Sequence, residues 1–263
     1  MGILNTTPDS FYDGGLYQNH HLAFEHALKM VENGADIIDI GGESSRPGSD
    51  PVAAEDELKR VIPVIKLIRK ETDAAISIDT TKSAVAKAAL DAGANIINDI
   101  SALSYDPQMA DVAQKSGAPV ILMHIKGTPK SMQDHPFYSD VISEICSYLQ
   151  SRIEYAVESG IKKSKIIIDP GIGFGKRVED NFEIINSLTR FKNIGCPVLV
   201  GPSRKSFIGA VLNVPPRDRK AGTTAAVAVS IVNGADIIRV HDVYEMAQVA
   251  KMVDLLTKKQ TIC

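Results

Sequence analysis

The chain has 263 residues, 44 % of them hydrophobic, so it is long enough to bury a large core. A net charge of −3 and a pI of about 6.1 argue against proteins that depend on strong attraction to nucleic acid or anionic membranes. No apolar stretch approaches the ~20 residues that cross a bilayer, and no leader pattern is recognisable. These features predict a soluble, cytoplasmic protein whose cysteines (Cys146, Cys196 and Cys263) stay reduced.

Eight short apolar runs predict eight β-strands. In chain order they are MGIL, DIIDI, AISID, NIIND, PVILM, KIIID, PVLV and DIIRV. Segments of helical period lie between them, such as Leu58, Val61, Ile65 and Ile68. Strands that are apolar on both faces indicate a parallel sheet covered by helices, and eight such units favour closure over an open doubly wound sheet. The prediction is an α/β fold, a single (β/α)8 TIM barrel forming one domain over residues 1–263.

The first two strand-to-helix loops are long, whereas the helix-to-strand links are short. NTTPDSFYDGGLYQN begins at Asn5 and ESSRPGSDPVA begins at Glu43, and both are rich in proline, glycine, serine and aspartate. Loops of such length in a compact domain are usually functional. They follow strands, so they lie at the carboxyl end of the barrel, where active sites of this fold are built.

Each predicted strand ends in a polar residue. These residues are Asn5, Glu43, Asp79, Asn98, His124, Asp169, Ser203 with Arg204 and Lys205, and Arg239 with His241. Any one of them could be an ordinary helix cap. All of them together predict a binding site at the barrel mouth.

The strand-end residues fall into two chemical sets. Asp79, Asn98 and Asp169 suit a flat nitrogen heterocycle, because a carboxylate accepts two parallel hydrogen bonds. The donor-rich set suits an anion and comprises Asn5, Arg46, Arg204, Lys205, Arg239 and His241. The alternative for the basic residues is a group of ion pairs at the barrel rim.

Two glycine-containing motifs follow the sixth and seventh strands. DPGIGFGK, from Asp169, has neither the phosphate-loop spacing nor the dinucleotide fingerprint. It predicts a flexible loop that closes over a bound ring, with Phe174 as an apolar wall and Lys176 as an anion contact. VGPSRKSFIG, from Val200, starts a helix whose backbone donors favour anions. The alternative for Lys205 is a solvated lysine at a helix start.

Two other site classes are disfavoured. His20, His21, His26 and His135 lack the spacing of zinc ligands. No G-x-S-x-G elbow precedes a predicted helix, which argues against a serine hydrolase.

The motifs together resemble a known family. MGILNTTPDSFYDGG, GGESSRPG, ISIDTTK, INDIS, ILMHIKGTP, IIDPGIGFGK, VGPSRKSFIG and IIRVHDV are similar, in order, to the signatures of the dihydropteroate synthases, from Met1 to about Val243. The resemblance implies a (β/α)8 barrel that condenses 6-hydroxymethyl-7,8-dihydropterin pyrophosphate with 4-aminobenzoate in folate synthesis. It also implies Mg²⁺ on the pyrophosphate and a homodimer. Thr6 and Ser45 depart from the family's usual aliphatic residue and threonine.

The resemblance assigns roles to residues of this chain. Those expected to bind the pterin are Asp79, Asn98, Asp169 and Lys205. Those expected to bind the pyrophosphate are Asn5, Arg46, Arg239 and His241, with Asn5 also a ligand of Mg²⁺. Those expected at the aminobenzoate site are Ser45, Phe174 and Ser206, with Phe11, Asp13 and Pro47 in the two loops folding over it. The residues expected to be catalytic are Asp79, Asp169, Lys205 and Arg46.

Two other functions remain open for a pterin-binding barrel. One is a methyltransferase that acts on methyltetrahydrofolate with a corrinoid partner, which has no need for Arg46, Arg239 and His241 around a pyrophosphate. The other is a catalytically silent pterin-binding homologue, since fold alone does not establish activity. Loss of a residue such as Asn5 or Asp79 would favour it, and both are present.

Overall fold

The structure is a computed structural model that describes residues 1–6 and 16–257. The strands in this part of the chain are β1 (Gly2–Asn5), β2 (Ile37–Gly41), β3 (Ala75–Asp79), β4 (Ile96–Asp99), β5 (Val120–Met123), β6 (Ile166–Asp169), β7 (Leu199–Val200) and β8 (Ile237–Ile238). The helices are α1 (Leu16–Glu32), α2 (Ala54–Glu71), α3 (Ser83–Asp91), α4 (Met109–Ser116), α5 (Val141–Glu158), α6 (Val178–Asn186), α7 (Leu188–Lys192), α8 (Ser206–Leu212), α9 (Lys220–Val232) and α10 (Val243–Thr257). Short 3₁₀ turns cover Lys163–Lys165 and Pro216–Asp218.

The strands form a closed parallel barrel. β1 to β6 pair in chain order, and β7 pairs with β8. Parallel bridges from Ile168 to Val198 and from Gly2 to Val240 join the two groups. The predicted (β/α)8 architecture is therefore confirmed.

An apolar layer fills the barrel at the amino ends of the strands. Its members come from all eight strand positions and are Met1, Ile37, Ala75, Ile96, Ile121, Ile167, Leu199 and Ile237. A second, larger cluster packs the outward faces of the strands against the helices, with residues such as Ile38, Ile78 and Ile97. The strands are apolar on both faces for this reason, which is why the sequence shows continuous rather than alternating runs.

Strand register places polar residues of neighbouring strands at the same height. Asn5 lies opposite Gly41, Gly41 opposite Asp79, and Asp79 opposite Asn98. Gly41 has no side chain, so it leaves space between Asn5 and Asp79 at the mouth. The register therefore brings together residues that are far apart in the chain.

The first loop differs from its prediction. Helix α1 begins at Leu16, so the segment LYQN is helical and the predicted loop to Asn19 is too long. The second loop agrees with its prediction, because α2 begins at Ala54. Among the described helices, none combines the length and the apolar character that crossing a membrane requires.

Candidate functional site

Polar side chains occupy the barrel interior above the apolar layer. Alternate residues of a strand point to the same face, so the positions two and four residues after the apolar layer also face inward. On β2 and β3 these positions hold Asp39, Ser77 and Asp79. On β4 and β6 they hold Asn98 and Asp169, and Arg239 takes the equivalent position directly after β8. The inward-facing positions are therefore apolar at the amino ends of the strands and polar at the carboxyl ends.

Arg239 connects two carboxylates across this mouth. Its Nε donates to Asp39 Oδ2 at 2.6 Å, and its Nη2 donates to Asp79 Oδ2 at 2.7 Å. Asn98 Nδ2 also donates to Asp39 Oδ2, at 3.1 Å. Arg239 is 18 % exposed and Asp39 is fully buried. The ring set and the anion set predicted from the sequence are therefore not separate, because Arg239 bonds directly to Asp79.

Burial controls the protonation of the two candidate ring acceptors. Burial raises the pKa of Asp79 to about 7, with Arg239 opposing the shift. Burial also raises the pKa of Asp169 to about 6. Two interactions oppose this shift: the Gly171 N–H donates to Asp169 Oδ1 at 2.7 Å, and the positive charge of Lys205 favours the ionised carboxylate. Both groups exchange protons near neutral pH, so they can accept or donate hydrogen bonds to a heterocycle.

Lys205 lies beside the predicted apolar wall. Its ammonium sits 4.0 Å from the centre of the Phe174 ring, a cation–π contact. Burial lowers the pKa of Lys205 to about 8, and Arg239 adds to this effect. The structure thus brings Lys205 close to both Phe174 and Asp169.

The segments that follow β7 and β8 are joined by several polar contacts. Ser203 Oγ lies 3.0 Å from His241 Nδ1. Arg204 makes a bidentate ion pair with Asp242: its Nε donates to Oδ2 at 3.0 Å and its Nη2 donates to Oδ1 at 2.6 Å. Arg204 was predicted in the anion set, but its guanidinium is held by Asp242, in agreement with the rim ion-pair alternative.

The loop between β2 and α2 carries three predicted residues on a braced backbone. Gly48 N–H donates to the Pro129 carbonyl at 3.1 Å, and Ser49 Oγ donates to the Ser44 carbonyl at 2.6 Å. The Arg46 and Pro47 side chains are exposed. Ser45 is closer to the ring set, because it lines a cavity of about 20 Å³ together with Asp79.

Two further residues were predicted at the aminobenzoate site. Ser206 is exposed at the first position of α8, directly after Lys205. Phe11, like Asp13, lies outside the described residues.

The sequence did not reveal a group of buried ion pairs next to the mouth. Lys82 bonds to Glu43 and, at 2.6 Å, to Glu57, whose side chain is fully buried. The group ties the start of the second loop to α2 and α3. Glu57 sits among ordinary charged residues of a helical pattern, so only its alignment with the apolar positions Val61 and Ile65 signals burial.

The glycine-rich loop after β6 is fixed against its neighbour. Gly171 has φ +73°, and a Cβ there would overlap the carbonyl oxygen of His124. Lys176 is buried, and its ammonium donates to the Phe174 carbonyl at 2.9 Å and lies 3.1 Å from His124 Nδ1. Lys176 was predicted as an anion contact; in the structure its ammonium is buried and bonds within the loop and to His124.

A cavity with a volume of about 630 Å³ lies beside the mouth and not in it. It is lined by residues that follow β5, such as His124, Lys126 and Tyr138, and by residues of α5 such as Glu144. None of the predicted ring residues lines this lateral cavity.

The fit of Mg²⁺ can be tested on the side chains at the mouth. Among residues 1–6 and 16–257 there is no group of three His, Cys, Asp or Glu that could hold a metal ion. Mg²⁺ often keeps several waters and uses few protein ligands together with substrate phosphates. The amide oxygen of Asn5 is a suitable donor at the rim, so the residues fit an ion that arrives with a phosphate ligand and not a closed protein cage.

Comparison with known proteins identifies relatives over nearly the whole chain. The family described as pterin binding enzyme matches residues 1–241. The chain is 49 % identical to a dihydropteroate synthase of Synechocystis, over 97 % of this chain and 89 % of the relative. It is 46 % identical to the dihydropteroate synthase of Escherichia coli K12, over 97 % of this chain and 90 % of the relative.

Solved structures agree with these sequence relatives. A Yersinia pestis dihydropteroate synthase in complex with a sulfonamide drug superimposes with a TM-score of 0.93, at 45 % identity over 97 % of this chain and 93 % of that one. A Xanthomonas albilineans dihydropteroate synthase with 4-aminobenzoic acid also gives 0.93, at 42 % identity over 99 % of this chain and 93 % of that one.

The glycine-rich loop gives a prediction for stability. We expect Gly171→Ala to lower the free energy of unfolding more than Gly117→Ala does, measured by denaturant titration. Both glycines have positive φ, so alanine costs about 1–2 kcal/mol of backbone strain at either site. Only at Gly171 does the new Cβ also meet a backbone oxygen. Equal losses in the two variants would contradict the close packing of this loop.

The Arg239 bridge gives a prediction for pH dependence. Because the pKa of Asp79 is raised on folding, its ionisation costs stability as the pH rises through about 7. Removing Arg239 raises this pKa further, so the cost grows at high pH. We expect Arg239→Met to lower the free energy of unfolding by about 3–5 kcal/mol at pH 8 and by less at pH 5, where Asp79 is protonated.

Lys130→Met is the matched control. Lys130 also pairs with an aspartate, since its Nζ lies 2.9 Å from Asp50 Oδ1, but both side chains are exposed. We expect its unfolding curve to match the wild type at both pH values. The same loss of stability at pH 5 and pH 8 in Arg239→Met would contradict the account of the buried carboxylates.

Proposed function

We propose a function from the premise that this chain belongs to the dihydropteroate synthase family of pterin-binding enzymes. It is a transferase that joins 6-hydroxymethyl-7,8-dihydropterin pyrophosphate to 4-aminobenzoate, giving 7,8-dihydropteroate and pyrophosphate. The observation that carries the proposal is the linked group of Asp79, Arg239, Asp39 and Asn98 at the mouth of the barrel. It offers ring acceptors and a cation within a few ångströms of each other.

The ring is held by hydrogen bonds to buried groups. Asp79, Asn98 and Asp169 accept from and donate to the edge of the pterin, and Lys205 lies beside them over Phe174. A buried carboxylate bonds adjacent N–H groups more strongly than water does, since the local dielectric is low. Phe174 forms an apolar wall on the side that the aminobenzoate would approach.

The reaction breaks the C–O bond between the pterin methylene and the pyrophosphate. The electron-rich pterin delocalises the developing positive charge, so an S_N1-like path suits the chemistry, and Asp79 and Asp169 favour that charge. Arg239, His241 and Arg46 bind the departing pyrophosphate. The amine nitrogen of 4-aminobenzoate then attacks the methylene carbon and loses a proton. No covalent enzyme intermediate is needed.

Asn5 would supply its amide oxygen to Mg²⁺, which would neutralise part of the pyrophosphate charge when it is bound. Ser45, Pro47 and Ser206 border the proposed aminobenzoate side of the mouth, and Phe11 belongs to the first loop that would cover it. Closure of these loops would keep water from the cationic centre.

We further propose that the protein is a cytoplasmic homodimer. An apolar groove between α6, α8 and α9 supports a second copy as its occupant. The groove has a volume of about 270 Å³ and is lined by Phe182, Ile185, Phe207, Val211, Leu212 and Val229. Val211 is 60 % exposed, and a contiguous exposed apolar patch of this kind is typical of a protein–protein interface.

The activity is tested by mixing the purified chain with the dihydropterin pyrophosphate and Mg²⁺, with and without 4-aminobenzoate. We expect pyrophosphate release that depends on the amine and a pteroate product. We expect Asp79→Asn to weaken binding of the dihydropterin pyrophosphate by about 2–5 kcal/mol in calorimetry, because a donor replaces one acceptor oxygen facing the ring.

Asp91→Asn, at an exposed site on α3, is the control and should bind as the wild type does. Ring binding without amine-dependent release would favour the methyltransferase or the silent homologue. Unchanged affinity in Asp79→Asn would contradict the assignment of the ring site.

The dimer is tested by sedimentation velocity. Val211→Glu should convert the wild-type dimer to a monomer, because a carboxylate in the groove cannot be buried without a partner. Val157→Glu, at an exposed apolar position on α5, should remain dimeric. A monomeric wild type, or a dimeric Val211→Glu variant, would contradict the proposed interface.

A further inference from the structure

Ser203 lies beyond the carboxyl end of β7 and makes two hydrogen bonds to His241, which follows β8. The Ser203 side chain is buried. Its Oγ accepts the backbone N–H of His241 at 3.2 Å. The same Oγ lies 3.0 Å from Nδ1 of the His241 ring. One serine hydroxyl therefore holds both the main chain and the imidazole of His241.

The single proton of the Ser203 hydroxyl determines which nitrogen of the His241 ring is protonated. A serine hydroxyl has one proton to donate and two lone pairs to accept with. Within residues 1–6 and 16–257, Nδ1 of His241 is the only acceptor that Ser203 Oγ reaches. If Nδ1 carried a proton, the buried hydroxyl proton would have no acceptor, which costs free energy. Ser203 therefore donates to Nδ1, and the ring proton is on Nε2.

The charge around His241 makes this tautomer important. Burial lowers the pKa of His241 to about 4, and the cations Arg239 and Arg204 add to the effect. The imidazole is therefore neutral near pH 7. A neutral imidazole donates from one nitrogen only, so its tautomer decides whether the free nitrogen attracts or repels an anion.

We propose that Ser203 is a positioning residue that fixes His241 in the tautomer whose Nε2–H donates to an oxygen of the pyrophosphate. The inference rests on the proposed function for the identity of the anion, but not for the tautomer. Nε2 has no hydrogen-bond partner in the described part of the chain, so it is free for a ligand. The opposite tautomer would turn a lone pair toward the phosphate oxygen. Ser203 would thus act on the leaving group without touching it.

The tautomer is read directly by NMR of the ligand-free protein. The chain has six histidines, so uniform ¹⁵N-histidine labelling gives few ring signals, and the spectrum of His241→Gln identifies the signal of His241. We expect wild-type Nδ1 to resonate as an unprotonated nitrogen and Nε2 as a protonated one. Ser203→Ala should give a mixture of the two tautomers. Ser203→Thr keeps the hydroxyl and should restore the wild-type pattern.

Binding of inorganic pyrophosphate with Mg²⁺, measured by calorimetry, tests the consequence. We expect Ser203→Ala to weaken affinity about tenfold, the factor that one ordinary hydrogen bond provides. Ser203→Thr should recover most of it, because threonine keeps the hydroxyl that donates to Nδ1. Ser230→Ala is the matched control, since Ser230 is equally buried but donates to Ala226 on α9.

Two outcomes would overturn the inference. The first is a wild-type His241 with its proton on Nδ1. The second is a Ser203→Ala variant that keeps both the tautomer and the pyrophosphate affinity. A wild type that binds no pyrophosphate would instead contradict the anion site of the proposed function, and the NMR arm would then decide on the tautomer alone.

Discussion

The ion pairs of Arg239 with Asp39 and Asp79 determine how the mouth of the barrel is organised. Two carboxylates inside a barrel are costly unless a cation and hydrogen bonds compensate them. Arg239 supplies the cation at 2.6 and 2.7 Å, and Asn98 adds an amide donor. Because Asp79 is both the partner of Arg239 and the proposed ring acceptor, binding of the ring and binding of the anion are coupled. A ligand that bonds to Asp79 competes with Arg239 for the same carboxylate.

The barrel achieves this with the two-residue period of its strands. The same inward face holds apolar residues such as Ile121 and Leu199 at the floor and charged residues at the mouth. The apolar floor excludes water from below, and this explains why burial shifts the pKa of Asp79, Asp169 and Lys205 toward neutrality. The neighbouring contacts fix orientation: Ser203 holds His241, and the Lys82 ion pairs hold the start of the second loop. Positioning and electrostatics are therefore supplied by different residues.

Much of the fold was predictable because it depends on local patterns. Apolar runs and helix-ending glycines located every strand, and polar strand ends located Asp79, Asn98, Asp169 and Arg239. Pairing between distant side chains was not predictable. Arg204 and Lys176 have the sequence context of anion ligands, yet Asp242 and the Phe174 carbonyl hold their charges. Asp39 looked like one more position of a buried strand, and Glu57 like one more charge on a helix. Only three-dimensional contacts show which cations remain free for a ligand.

The most direct measurement is a crystal structure of the chain with 6-hydroxymethylpterin, pyrophosphate and Mg²⁺. We expect the ring to lie within hydrogen-bond distance of Asp79, Asn98 and Asp169. We also expect pyrophosphate to lie against Arg239 and His241, with the Arg239 to Asp79 bond lengthened or exchanged. A ring bound in the lateral cavity beside Lys126, with the Arg239 bridge unchanged, would contradict these expectations.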